Sequence, residues 1–174
     1  MNFKIYGPFE IPTMGGNRKY LMLDKELPTF WQNIKTEYPA LENGCGCYVF
    51  GMRSGGGIKP WYVGKSQKQS FFKEVFTPHK KSIYKDIIPR EHGTPVIFLV
   101  AKLTKGNKFS KPGESHNEID FLENMLIVDA LKKNRELMNL KKTKFAKDLI
   151  VASYFNCTKK KNSSEKNFNL MFNK

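Results

Sequence analysis

Two runs of strand-forming residues flank a cluster of glycines in the first half of this chain, and that pattern leaves few options for the local fold. Cys47-Tyr48-Val49-Phe50 and Trp61-Tyr62-Val63 are aromatic and β-branched, and Ser54-Gly55-Gly56-Gly57 lies between them. Such a sequence reads as a β-hairpin closed by a glycine turn. Pro60 stands at the start of the second run, where a missing N–H does least harm. Centring the turn on Gly55 sets Tyr48 directly opposite Tyr62, on one face, with Cβ atoms about 5 Å apart.

The segments around the hairpin punctuate themselves. Residues 1–23 mix short apolar runs with Pro and Gly and read as extended or loop structure. Asp24 is placed to cap a helix over residues 27–36, with Pro28 in its first turn. Residues 66–76 suit a helix stopped by Thr77-Pro78, and residues 82–88 a second one stopped by Pro89. Val96-Ile97-Phe98-Leu99-Val100 is an unbroken apolar run, the mark of a buried strand. Ser115-His116-Asn117-Glu118 has the form of a capping box. Ile119, Leu122, Leu126 and Ala130 follow at helical spacing, and the helix should end near Asn134.

The order is hairpin, helix, helix, strand, helix. It predicts an α/β (α+β) domain with a small antiparallel or mixed three-stranded sheet flanked by helices. The domain is expected over residues 44–140, between an N-terminal extension (1–43) and a C-terminal extension (141–174). The latter holds one more helix or strand at residues 149–152 and a basic, mobile tail at 159–164.

Charge narrows the class of partner. Thirty Lys and Arg against sixteen Asp and Glu give a formal charge of +14, which favours polyanions, nucleic acid first among them. No run approaches the roughly 18 apolar residues of a membrane span. The opening residues lack the apolar stretch of a signal peptide, so a cytoplasmic location is expected. Cys45, Cys47 and Cys157 are an odd set without a second Cys/His pair at ligand spacing, which argues against a disulfide framework and against zinc. There is no signal for a particular oligomeric state.

One acidic residue stands out against this basic background. Glu123 lies four residues from both Ile119 and Ile127, inside the apolar stripe of its helix. A buried carboxylate needs a cation, a metal or a hydrogen-bond network, and one carboxylate completed by phosphate oxygens and waters is an ordinary Mg²⁺ arrangement. In the hairpin, Gly64 would allow a ligand to approach the backbone closely. Lys65 would bring a cation to the Tyr62 hydroxyl, and a neighbouring cation favours the phenolate form, which can accept a proton from water.

These residues resemble a known family. Gly46-Cys47-Tyr48 and Tyr62-Val63-Gly64 look like the two halves of the GIY-YIG motif of GIY-YIG nucleases. Tyr62-Val63-Gly64-Lys65 and Leu122-Glu123-Asn124-Met125-Leu126-Ile127 are most similar to the N-terminal nuclease domain of the bacterial excision-repair incision subunit. Asn139 matches the family's asparagine after the glutamate helix, at a spacing a few residues longer. The resemblance covers residues 44–140.

It implies a GIY-YIG-like fold and a metal-dependent endonuclease acting on DNA rather than RNA. One Mg²⁺ or Mn²⁺ ion would be held by Glu123. Tyr62 would activate water, Tyr48 would position it, and Lys65 would tune the pair. The family's phosphate-binding arginine falls at Phe72 here, which makes the adjacent Lys73 its candidate replacement. His79 is a candidate phosphate contact or proton carrier. Gly64, Lys80, Lys81 and Asn139 are candidate nucleic-acid contacts, with Lys85 on the same surface and Lys141, Lys142, Lys144 and Lys147 forming a second patch. The missing arginine also suggests an alternative: a catalytically degenerate module that only binds nucleic acid.

Overall fold

The structure is a computed structural model that describes residues 2–16, 19–21, 26–114, 116–139, 143 and 163–170. Two compact units divide it at Asn139/Leu140. The first is a mixed α+β unit. Its main sheet takes β1 (Asn2–Glu10), β4 (Gly46–Ser54), β5 (Gly57–Ser66) and β6 (Thr94–Leu103), in the order β1-β6-β4-β5, and every pairing is antiparallel. Short strands β2 (Thr13–Met14) and β3 (Tyr20–Leu21) form a separate ribbon. Helices α1 (Leu27–Glu37), α2 (Phe71–Glu74), α3 (Pro78–Ile87) and α4 (Asn117–Lys133) complete the unit. In the second unit the described helix is α5 (Ser163–Leu170). No helix among the described residues is long and apolar enough to cross a membrane.

The sheet has four strands, not three. The fourth is β1, drawn from residues that read as extended or loop structure. Its pairing with β6 shifts register between Tyr6 and Phe9, at Gly7-Pro8, and that interruption hid the strand pattern. As an edge strand β1 buries only Tyr6 among its nine residues, so it carries little of the alternation that marks a half-buried strand.

Twofold alternation along the strands supplies two cores. Tyr48, Phe50, Tyr62, Ile97 and Leu99 face Phe30, Ile34, Phe71, Tyr84 and Ile87 from α1, α2 and α3, with Val75 just after α2. Phe50 stacks on Tyr84 at 4.4 Å between ring centroids, an arrangement worth about 0.5–1.5 kcal/mol beyond its buried area. On the other side, Cys47, Val63 and Val100 meet Ile119, Ile127 and Ala130 of α4. Glu123 is buried within that same stripe.

The hairpin forms where expected but in a different register. Gly55 and Gly56 make the turn, and Ser54 pairs with Gly57. Phe50 then pairs with Tyr62 while Gly51 pairs with Pro60, so Trp61 is an extra residue. The turn centred between Gly55 and Gly56 shifts the register by one residue and this bulge by one more, so that Tyr48 comes to lie opposite Gly64 rather than Tyr62.

Two helices also differ from expectation. Strand β5 runs on to Ser66, whose hydroxyl donates to the Gln69 carbonyl (2.6 Å), and this turn delays α2 until Phe71. Thr77-Pro78, read as a stop, is the start of α3, since proline is favoured in the first turn of a helix. The expected caps Asp24 and Ser115 lie outside the described residues, as do residues 149–152 and the lysines of the second basic patch. Ser163 and Ser164, expected in the tail, are helical.

Candidate active site

Starting α3 at Pro78 puts Lys80 in its first turn, aimed back at the sheet. Lys80 Nζ donates a hydrogen bond to the Tyr62 hydroxyl at 2.9 Å and lies 5.2 Å from the centre of its ring. The same ammonium is 3.9 Å from Glu74 Oε1 of α2, and both side chains are largely withdrawn from solvent. Tyr48 approaches Tyr62 diagonally across the hairpin, with ring centroids 6.2 Å apart. The contact is diagonal because the two rings are offset by two residues: Tyr48 pairs with Gly64, and Tyr62 with Phe50.

Tyr48 is fully buried, and its hydroxyl has no hydrogen-bond partner. Burial, followed by the neighbouring Tyr84, Tyr62, Glu74 and Glu123, holds its pKa well above the ordinary tyrosine value. Tyr48 is thus a neutral phenol at physiological pH, a hydrogen-bond donor rather than a base. Its ring lies across Gly64: a Cβ built there would sit 2.7 Å from Tyr48 Cε2 and closer still to Cζ and Oη. The open backbone at Gly64 therefore accommodates Tyr48 within the protein.

Glu123 comes to this cluster from α4, which packs along the edge strand β5, and only 8% of its surface is exposed. Its negative charge reaches both Tyr48 and Glu74. Burial raises the pKa of Glu74, Lys80 lowers it, and Glu123 raises it again. Tyr62 and Glu74 thus meet at Lys80, with Tyr48 beside Tyr62 and the charge of Glu123 felt by Tyr48 and Glu74. Glu74 was missed in the sequence, although its setting is a signal: it is the single acid in the run Phe71-Phe72-Lys73-Glu74-Val75-Phe76.

The other candidates fall elsewhere. Lys65 is three residues beyond Tyr62, so strand alternation turns it to the opposite face, where it pairs with Asp120 of α4. The cation at the Tyr62 hydroxyl is Lys80 and not Lys65. Lys73 and His79 are exposed and make no side-chain hydrogen bond or ion pair among the described residues. Lys81 is half-buried on α3 beside Lys80.

Asn139 is buried and holds the outer edge of β5. Its Nδ2 donates to the Val63 carbonyl (2.6 Å), and its Oδ1 accepts from the Val63 N–H (2.9 Å). Asn134 Nδ2 on Pro60 O and the Met138 N–H on Trp61 O extend this cover. The strand bearing Tyr62 is thereby pinned from outside the sheet. Asn139→Ala would leave two buried backbone groups unpaired and is expected to cost about 2–3 kcal/mol. Thermal unfolding checks this; a Tm unchanged from wild type would show that the edge is held by other contacts.

Among the described residues, no group of three or more His, Cys, Asp or Glu side chains is arranged to hold a metal ion. Comparison with protein-family models, with curated proteins and with solved structures finds no match to this chain.

Proposed function

We propose that this protein is a metal-dependent endonuclease that hydrolyses phosphodiester bonds in DNA through a GIY-YIG-type site. The observation that carries the reading is the Lys80–Tyr62 hydrogen bond (2.9 Å), set between a buried neutral tyrosine and two inward carboxylates. Tyr62, as its phenolate, would take a proton from water. Lys80 fixes the orientation of its phenol and holds positive charge beside the oxygen that receives the proton. Tyr48, kept protonated by burial, packs beside the Tyr62 ring and supports it.

The donor set suits one hard divalent cation. Glu123 would hold Mg²⁺ or Mn²⁺, with Glu74 the neighbouring carboxylate, and the mutual repulsion of the two is relieved by a cation. Magnesium is commonly bound by one or two carboxylates, with substrate phosphate and waters completing its shell. When bound, the ion supplies charge that offsets the negative charge growing on the phosphate. The formal charge of +14 supports a polyanionic substrate.

Plasmid nicking by the purified protein tests the reading, with Mg²⁺ or Mn²⁺ against an EDTA control. Lys80→Met is expected to slow nicking by about 10²-fold, with Lys80→Arg recovering part of the rate. Lys65→Met should cost far less, because Lys65 is turned away from Tyr62 and its half-buried pair with Asp120 contributes about 1 kcal/mol to stability. The reverse ranking would remove Lys80 from the mechanism.

A second reading has its own observations: Lys65 is engaged by Asp120, and Phe72 stands where the family's arginine would be. On that reading the chain binds nucleic acid without cutting it. Wild-type protein that binds DNA yet leaves plasmid intact with either metal would establish it.

A further inference from the structure

Phe72 is not idle where it stands. Half of its surface is exposed (52%), and its ring lies 5.6 Å from that of Trp31, tilted by 57°. The two rings share the lining of a cavity of about 660 Å³ with Leu27, Phe76, Lys35 and Glu42. Cavities of this size accommodate small organic groups.

Glu42 is the unusual member. It is 8% exposed, in a chain with nearly twice as many basic as acidic residues. Asn43 Nδ2 donates to its Oε1 (2.8 Å), while its Oε2 is buried without any hydrogen-bond partner. Lys35 lines the same cavity, yet forms no ion pair with Glu42 among the described residues. A carboxylate only accepts hydrogen bonds, and leaving one of its oxygens buried and unpaired is costly. A ligand that stacks on aromatic rings and offers N–H donors would satisfy both features.

We infer that this cavity receives an unpaired guanine base of the nucleic-acid strand, stacked on the exposed ring of Phe72, which Trp31 backs, and read by Glu42. The inference rests on the nucleic-acid reading above and adds a base preference to it. Guanine presents two adjacent donors, N1–H and the 2-amino group, on its pairing edge. Adenine and cytosine each place a ring-nitrogen acceptor beside their amino donor, and thymine flanks its single N–H with carbonyls. Each of those would set an acceptor against the carboxylate. Stacking itself tolerates every base, so the preference comes from Glu42. Lys35, in the same lining, is placed for the strand's phosphate.

Fluorescence anisotropy with labelled oligo-dT strands of about 12 nucleotides, within the range of a single-strand site, tests this. The strands carry one central guanine, hypoxanthine, adenine or thymine. The guanine strand is expected to bind wild-type protein about ten- to a hundred-fold tighter than the hypoxanthine strand, which lacks only the 2-amino donor. Glu42→Gln should erase most of that preference. Phe72→Ala should weaken all four strands by about ten-fold. Equal wild-type affinity for all four strands, with plasmid nicking intact, overturns the guanine site and leaves the nuclease standing. Failure to bind any strand or plasmid overturns both.

Discussion

Glu123→Ala is expected to abolish metal-dependent nicking, by about 10²- to 10³-fold or more, while the chain still folds. The magnitude follows from losing a preorganised charge at the reacting phosphate, where a single donor is commonly worth that much. Glu123 is buried in the apolar stripe of α4, so part of the effect could come from packing. Glu123→Gln separates the two contributions, since it keeps the shape and removes the charge. Rates for both variants at several Mg²⁺ concentrations, beside far-UV spectra and thermal melts, read the outcome. Loss of nicking in both with Tm near wild type supports Glu123 as the metal ligand. Wild-type rates in Glu123→Gln would sink that role and return Glu123 to a structural one.

The largest effect on folding that also reaches the site is expected from Gly64→Ala. The added methyl would meet the buried Tyr48 ring, and Tyr48 cannot swing aside, because it is fully enclosed between the hairpin and the helices. Overpacking of this kind costs about 2–3 kcal/mol, or roughly 6–15 °C in Tm for a domain of this size. The displaced ring also presses on Tyr62, so nicking should fall with stability. A double-mutant cycle with Tyr48→Ala gives the decisive reading. If the clash is the cause, Gly64→Ala adds little once the Tyr48 ring is gone. Fully additive losses would mean that Gly64 matters for its backbone alone.

Local patterns carried much of this into the sequence. Helical spacing around Ile119 and Ile127 placed Glu123 on the inward stripe, because a period of 3.6 depends only on neighbours within the helix. The glycine cluster at 55–57 located the hairpin turn for the same reason. The order hairpin, helix, helix, strand, helix followed from such signals, and it is the order observed.

The candidate site was less legible, for physical reasons. Lys65 stood close to Tyr62 in sequence, but strand alternation sends side chains three residues apart to opposite faces. Lys80, eighteen residues from Tyr62, reaches the hydroxyl because α3 begins at Pro78 and folds back onto the sheet. Glu74 gains its setting from Lys80 on α3 and from the charge of Glu123 on α4, neighbours that no local period encodes.

Taken alone, the sequence determined the hairpin, the apolar strand around Ile97, the helix that turns Glu123 inward, and that the chain is strongly basic. Those properties arise from interactions within a few residues, so composition and period suffice to specify them. Only the tertiary structure decided the fourth strand, the bulge at Trp61, the pairing of Tyr62 with Lys80 and the engagement of Lys65 by Asp120. Each depends on which distant surfaces bury one another most completely, and a single-residue shift at Trp61 was enough to change which groups face each other across the hairpin.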